Sequence, residues 1–316
     1  MNIIITGVAG FIGSNLAERI LNQNHIYGLN HRVIGIDDLS YGIREQIPEG
    51  VEFYPLDVRS KDIYSVFEGG DCVFHLAAKN CLSDCQNDPV ETADINVTGT
   101  VNVFEAARRA SLKKVVYAES SSLYEGSDIF PTPETEVKPE SIYGASKAAL
   151  GYFAKSFGIF SDIQITGLRY FNVYGPRQDY RRTIPPVMSA FIIKLLKNEA
   201  PVIYGTGEKR RDFIYIDDVN DFHSLCLTDP GTNGKIFNIG SGKNYSILEI
   251  YDSISGLMKI KIQPTHKGDL PGEAQVTLAD ISMARGLGWQ PKTDIIEGLE
   301  RMIGYIKNEM RKGNTL

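Results

Sequence analysis

Long apolar runs are missing from this chain of 316 residues. None approaches the roughly 20 residues that a helix needs to cross a bilayer, so no membrane span is expected. Basic charge is not in excess either: with a formal net charge of −6, bulk attraction to nucleic acid or to an anionic membrane is not expected. Cysteine is sparse, confined to Cys72, Cys81, Cys85 and Cys226. That is too little for a disulfide framework in a chain this long, and reduced thiols are the expectation. Cys81 and Cys85 lie near His75 and Asp84, but the spacing fits no zinc pattern and a second ligand pair is lacking, so no metal is expected. The opening MNIIITG has neither a basic leader nor a cleavage site, and the expected setting is cytoplasmic. Internal repeats and low-complexity tracts are absent.

What is present is an ordinary globular composition, 42% hydrophobic and 23% charged. Short apolar runs at 2–7, 32–37, 51–57, 72–78, 114–120 and 165–172 read as strands. Helical patterns at 12–23, 60–68, 91–110 and 143–160 alternate with them. Strands apolar on both faces and separated by helices predict an α/β fold, a doubly wound parallel sheet covered on both sides. After Asn172 the texture becomes rich in Pro, Gly and Arg. A helix is expected near 186–198, strands at 213–219 and 235–240, and helices at 246–258, 281–287 and 295–310. This predicts a first domain over 1–172, with 213–240 returning to it, and a smaller C-terminal α/β substrate-binding region made of 173–212 and 241–316.

The first strand runs into TGVAGFIGSNLAERI, with glycines at Gly7, Gly10 and Gly13. Gly7 suits a tight turn, Gly10 a close approach of backbone to a pyrophosphate, and Gly13 the packing of the following helix on the strand. The helix N-terminus then offers free N–H groups to phosphate. Because the triplet follows a strand and opens an amphipathic helix, it reads as a dinucleotide-binding (Rossmann) loop. The second strand ends in Asp37 and Asp38, where a carboxylate accepts both adenosine ribose hydroxyls and repels a 2′-phosphate. That predicts NAD rather than NADP, with Arg44 the one nearby residue able to favour a phosphate. Asp57 and Val58, at the end of the third strand, are placed to border the adenine; the alternative for Asp57 is a helix cap near Ser60.

KKVVYAES ends a strand in Ser120, and SSL follows it. Downstream, SIYGASKAALGYF sets Tyr143 and Lys147 four residues apart, on one helix face. A phenol ionises near pH 10 and is a poor base at neutrality. A neighbouring ammonium favours the phenolate, and lowering its pKa by about 3 units takes roughly 4 kcal/mol. Tyr143 could then take a proton from a sugar hydroxyl as hydride leaves, with Ser120 bonded to the same hydroxyl.

Together with IDDLSYG, FHLAAK, INVTGTVNVFEAAR, ESSSLY, YGASK, LRYFNVYGPRQ, RRDFIYIDDV, FNIGSG and TLADISMARGLGW, these motifs resemble the extended short-chain dehydrogenase/reductases, specifically the NAD-dependent nucleotide-sugar epimerases and dehydratases. The resemblance runs over essentially the whole chain. It implies that Ser120, Tyr143 and Lys147 are catalytic. It implies a cofactor site that also takes in Phe11, Ile12, Ser40, Leu76, Ala77, Ala78, Lys79, Asn96, Tyr170 and Val173. Substrate contacts are implied for Asn80, Ser121, Ser122, Asn172, Arg211 and Thr277, with Asn172 and Arg211 on the pyrophosphate. In the family's dehydratases an Asp-Glu pair follows the catalytic Ser or Thr; here Ser121 and Ser122 stand there, which disfavours dehydration and points to epimerisation.

The implied reaction is 4-epimerisation of a UDP-sugar, UDP-GlcNAc/UDP-GalNAc or UDP-Glc/UDP-Gal, through a transient 4-keto sugar, with NAD retained. Another NDP-sugar epimerase, a decarboxylase or a reductase of the same family are alternatives, and a non-catalytic dinucleotide-binding module is a further one. The sequence departs from the family at three places. Leu270 replaces the usual arginine of DLPGE, with Lys267 a candidate substitute. Glu125 replaces the glycine after Tyr124. The stretch KNCLSDCQNDP reads as a polar, cysteine-bearing loop. Thr277 stands where a bulky tyrosine would exclude an N-acetyl group, so N-acetylhexosamine substrates are expected. The long helices at 91–110 and 143–160 match those through which relatives pair, which implies a homodimer.

Overall fold

The computed structural model describes residues 1–178, 180, 185–269 and 274–313. The apolar runs of the first half form β1 (Asn2–Thr6), β2 (Arg32–Ile36), β3 (Val51–Tyr54), β4 (Cys72–His75), β5 (Lys114–Ser120) and β6 (Gln164–Tyr170). They lie in the order β3-β2-β1-β4-β5-β6 and pair in parallel throughout. After β7 (Asn172–Tyr174), β8 (Val202–Tyr204) and β9 (Arg210–Tyr215) comes β10 (Ile236–Ile239), which adds a seventh strand beside β6. The expected doubly wound sheet is therefore present.

Its strands are apolar on both faces because both are covered. On one face Ile4, Ile34, Val73 and Val115 sit in a core cluster with Phe104 and Leu150 of the helices Gly99–Arg109 and Ile142–Phe160. Ile3, Ile5, Phe74 and Val116, which alternate to the other face, are fully buried too. Chain order reverses between β1 and β4, and at such a switch point the loops beyond the carboxyl ends of the strands diverge and leave a crevice.

The chain divides into two compact units. The first comprises 1–127, 134–170 and 220–238; the second comprises 128–133, 171–219 and 239–316. The stretch FIYIDDV differs from its expectation. Only its first residues are strand, and that strand, β9, pairs with β7 and with β11 (Asn244–Ser246) in a small sheet of the second unit. From Ile216 the chain is helical to Thr228. The expected strand runs on through Asp217 and Asp218, although acidic residues in a first turn favour a helix N-terminus. In the second unit β12 (Thr265–Lys267) pairs in parallel with β8.

Two further differences fall in the first unit. The polar stretch after β4 contains a helix, Leu82–Asn87. The long helix expected over 91–110 is broken into Pro89–Ala93 and Gly99–Arg109 by a π turn at Asp94–Thr98. Such turns are rare inside helices and occur often at functional sites; this one contains the buried Asn96.

Candidate active site

The loop after β1 is built for a ligand that needs bare backbone. Gly7 has φ +74°, and a Cβ there would fall 2.7 Å from the Ala77 amide nitrogen. A Cβ on Gly13 would fall 2.2 Å from the Gly7 carbonyl oxygen. The helix Phe11–Tyr27 starts from Gly10 with no side-chain cap, so its first N–H groups face outward from the turn formed by Gly7, Gly10, Phe11 and Ile12. At the end of β2, Asp37 is nearly buried. Its carboxylate accepts from the Ala9 N–H (3.0 Å) and the Leu39 N–H (2.9 Å). Burial pushes this carboxyl up, and the Leu39 and Ala9 amides pull it down. The exposed Asp38 accepts from the Ser40 amide and hydroxyl. These residues fit the pyrophosphate and the adenosine ribose of a dinucleotide.

Asp57 is bound to Arg59, and that guanidinium holds its carboxyl below the usual range; Arg59 also reaches Asp94. Val58 is buried beneath Gly99. Leu76, Ala77 and Ala78 follow β4, anchored where the Leu76 N–H bonds the Thr6 carbonyl. Behind them His75 bridges Thr6 and Thr100, and burial pushes its pKa down to about 3, so the ring is a neutral strut. Asn96 bonds the Lys79 amide (2.8 Å), the Lys79 carbonyl (3.0 Å) and Ser146 (3.0 Å). It thereby ties the loop after β4 to the helix of Tyr143. The Lys79 ammonium pairs with Glu91, and Asn80 is exposed. Tyr170 has its hydroxyl on His223 in the core, which leaves its backbone at the end of β6.

Ser120 ends β5 and caps the 3₁₀ turn Ser121–Tyr124. Its hydroxyl accepts from the Ser122 N–H (3.1 Å) and donates to the Ser122 hydroxyl (3.3 Å). The helix Ile142–Phe160 is packed against that turn: a Cβ on Gly144 would lie 2.7 Å from the Ser122 carbonyl oxygen. Ser120 and Tyr143 are thus held to neighbouring backbone. Lys147 is buried, donates to the Ala118 carbonyl (2.9 Å), and lies 6.0 Å from the centre of the Tyr143 ring. Burial lowers its pKa to about 8, while the Glu119 carboxylate works the other way. Glu119 itself pairs with buried Arg169 (2.6 Å), which also donates to Tyr124 (2.8 Å). This arrangement can move a proton at the phenol of Tyr143 with a fixed cation beside it.

The second unit carries a cavity of about 300 Å³ lined by Asn172, Val173, Tyr204, Lys209, Arg211 and Phe213, among others. Val173, expected at the cofactor, is grouped here with Asn172 and Arg211. Arg211 does not lie in a surface run: Arg210 turns to Asn244 and Glu249 while Arg211 lines the cavity, as alternation along β9 requires. The Thr277 hydroxyl accepts from the Asp212 N–H (3.0 Å) and the Asn172 amide (3.4 Å). Leu270 lies outside the described residues. Lys267 is exposed on β12 and does not line the cavity.

Sequence reasoning missed two residues in this unit. Asp212 is fully buried and accepts from Ser241, Gly242 and Ala279, joining two loops; nothing local in the sequence signals this. Lys209 was legible, since it stands two residues before Arg211 on the same strand face. Among the described residues no group of His, Cys, Asp or Glu could hold a metal ion, and no helix is long and apolar enough to cross a membrane.

Comparison with known proteins places the chain in a family. Residues 3–240 match the model of the NAD dependent epimerase/dehydratase family. A UDP-glucose 4-epimerase of Mycolicibacterium smegmatis is 33% identical over 98% of this chain and 99% of its own. Among solved structures, a UDP-glucose 4-epimerase of Thermotoga maritima with UDP-glucose superposes with a TM-score of 0.93 at 30% identity, covering 98% of this chain and 100% of that one. A UDP-N-acetylglucosamine 4-epimerase of Methanobrevibacter ruminantium, in complex with UDP-N-acetylmuramic acid, gives 0.91 at 31% identity, covering 98% and 99%. With the glycine cradle and the Ser-Tyr-Lys cluster in place, the chain belongs to the NAD dependent epimerase/dehydratase family, as an NAD-dependent enzyme of the nucleotide-sugar epimerase kind.

Proposed function

We propose that the protein inverts carbon 4 of a UDP-sugar, with an N-acetylhexosamine accepted. The observation that carries this reading is the buried Lys147 ammonium, anchored on Ala118 and set 6.0 Å from the Tyr143 ring, on a helix packed against the Ser120 turn. NAD supplies the acceptor and the donor of hydride. Tyr143 takes the proton from the C4 hydroxyl and returns it, Lys147 keeps the phenol acidic, and Ser120 hydrogen-bonds the same hydroxyl. Gly7, Gly10, Gly13, Asp37 and Asp38 hold the dinucleotide. Asn172 and Arg211 hold the diphosphate, and Thr277 leaves room for an acetamido group.

Ser121 and Ser122 form the turn that Ser120 caps, and unperturbed hydroxyls cannot serve as the acid and base of a dehydration. A second copy of the chain is the proposed partner: Tyr152, Ile159 and Phe160 on the helix Ile142–Phe160 are 76%, 77% and 60% exposed.

The test incubates purified protein with a panel of nucleotide sugars, without added nicotinamide, and resolves the products by NMR. Interconversion of 4-epimers that is lost in Tyr143→Phe supports the reading. In a parallel incubation with NADH added, its net consumption with a single reduced product would replace the reading with a reductase.

A further inference from the structure

The cavity in the second unit contains a cation that neither the family's motifs nor the expected contacts of Asn172 and Arg211 account for. Lys209, Arg211 and Phe213 alternate along the chain at β9, and all three line the cavity. The Lys209 side chain is only 6% exposed, although a lysine ammonium is costly to bury without an anion. The anion it has is unusual. Its amine lies 2.8 Å from Asp269, whose side chain is 57% exposed. Asp269 reaches it by crossing Gly205, where a Cβ would fall 2.1 Å from the carboxylate oxygen.

The buried member of this pair is therefore the lysine, a residue of the cavity wall, and the carboxylate is the exposed member. Lys267, the other lysine of this region, is exposed on β12 and outside the lining.

We infer that Lys209 is a phosphate-binding residue: its ammonium exchanges the Asp269 carboxylate for the diphosphate of a nucleoside diphosphate sugar, alongside Arg211. The inference rests on the nucleotide-sugar reading above and adds a specificity contact to it. An ammonium beside a planar guanidinium gives a doubly charged diphosphate two cations in one wall, and charge-assisted bonds of this kind are the strong ones. Asp269 then acts as a competing anion that keeps Lys209 neutralised when no substrate is present.

Calorimetric titration with UDP tests this on wild type, Lys209→Met, Lys209→Arg and Lys267→Met. Uridine, followed by ligand-observed NMR, serves as the phosphate-free probe. Lys209→Met should weaken UDP binding tenfold or more and leave uridine binding unchanged, Lys209→Arg should restore most of the UDP affinity, and Lys267→Met should bind UDP as wild type does. Asp269→Asn should bind UDP at least as tightly as wild type, since a competitor is removed. UDP affinity unchanged in Lys209→Met overturns the assignment, as does an equal loss for UDP and uridine, which marks a structural role. If wild type itself does not bind UDP, the nucleotide-sugar reading fails first, and the assignment with it.

Discussion

Glu125 holds the N-cap of the helix that carries Tyr143. Its carboxylate accepts from the Ser141 N–H (2.7 Å), the Ser141 hydroxyl (2.9 Å) and the Glu140 N–H (3.0 Å), and the Ser141 hydroxyl in turn accepts from the Gly144 N–H (2.9 Å). One side chain thus locks the segment after Ser120 to the start of the helix two residues before Tyr143. It also places a negative charge at a helix N-terminus. Glu125 stands where the family resemblance leads one to expect glycine, which has no side chain to make these bonds.

Removing that joint should cost turnover more than binding. Glu125→Gly should lower kcat about tenfold, which corresponds to ~1.4 kcal/mol of barrier, with KM for the nucleotide sugar within about twofold. Glu125→Gln, whose amide oxygen still accepts from the backbone, should recover most of kcat. Steady-state kinetics of the two variants decide it. A KM rise as large as the kcat loss in Glu125→Gly would mean that the segment positions substrate rather than Tyr143.

Thr277 should decide which sugars enter. Its hydroxyl is already bonded to Asp212 and Asn172, so Thr277→Tyr both adds bulk and removes one of the two bonds of the Asn172 amide, leaving the one to the Asp212 carbonyl. Turnover of UDP-GlcNAc should fall at least tenfold relative to UDP-glucose in this variant, measured by NMR of the equilibrating 4-epimers. Undiminished acetamido turnover would show that Thr277 does not gate the sugar.

The exposed apolar residues on the helix Ile142–Phe160 should lie in an interface between two copies. Fully burying a side chain the size of isoleucine contributes about 1.5–3 kcal/mol, and a charge there costs more than is gained. Ile159→Asp should therefore turn a sedimenting dimer into a monomer without lowering the melting temperature of the monomer. An unchanged sedimentation coefficient would place the interface elsewhere.

Much of this architecture was legible because burial dictates sequence directly. A parallel strand covered on both faces must be apolar throughout, as Ile3, Ile4 and Ile5 are, and a dinucleotide turn must be free of Cβ atoms, as Gly7 and Gly13 are. The start of the helix after β9 was not legible, because the apolar Phe213, Ile214, Tyr215 and Ile216 read on as one strand across the boundary between Tyr215 and Ile216. Nor was the π turn at Asp94–Thr98, which no residue propensity marks and whose buried Asn96 bonds the distant Lys79 and Ser146. Lys209 was overlooked inside the charged run EKRRD, although alternation along a strand separates its members into two faces. The pairing of Glu125 with Ser141 joins segments 16 residues apart, and no local pattern announces it.

The buried pair Glu119–Arg169 adjoins Ser120 in β5, with side chains 0% and 6% exposed. Breaking such a pair from one side leaves an uncompensated charge, which costs about 3–5 kcal/mol. Glu119→Gln should accordingly lower thermal stability by an amount of that order in differential scanning calorimetry. The double variant Glu119→Gln, Arg169→Met should recover a large part of it. A single variant as stable as wild type would mean that water or a neighbouring group neutralises Arg169.

Lys147 sets stability against chemistry. Burial brings its pKa to about 8, from the ordinary lysine value of 10.5. The unfolded chain therefore binds more protons than the folded one between those two values, so stability should rise with pH from about 8 to about 10.5. Below pH 8 the folded state carries the full penalty, on the order of 3 kcal/mol for a shift of this size. Lys147→Met removes the ammonium, and although it also loses the bond to Ala118, it should raise the melting temperature at pH 7 and flatten its pH dependence across that window. The same variant should lose at least a hundredfold in kcat. In wild type, kcat should decline above about pH 8, where the cation beside Tyr143 loses its proton. Calorimetry and rate profiles over pH 6 to 10 test both halves. A Lys147→Met protein less stable than wild type at pH 7 would show that the ammonium stabilises the fold through its bond to Ala118, and the tension between folding and catalysis at this residue would disappear.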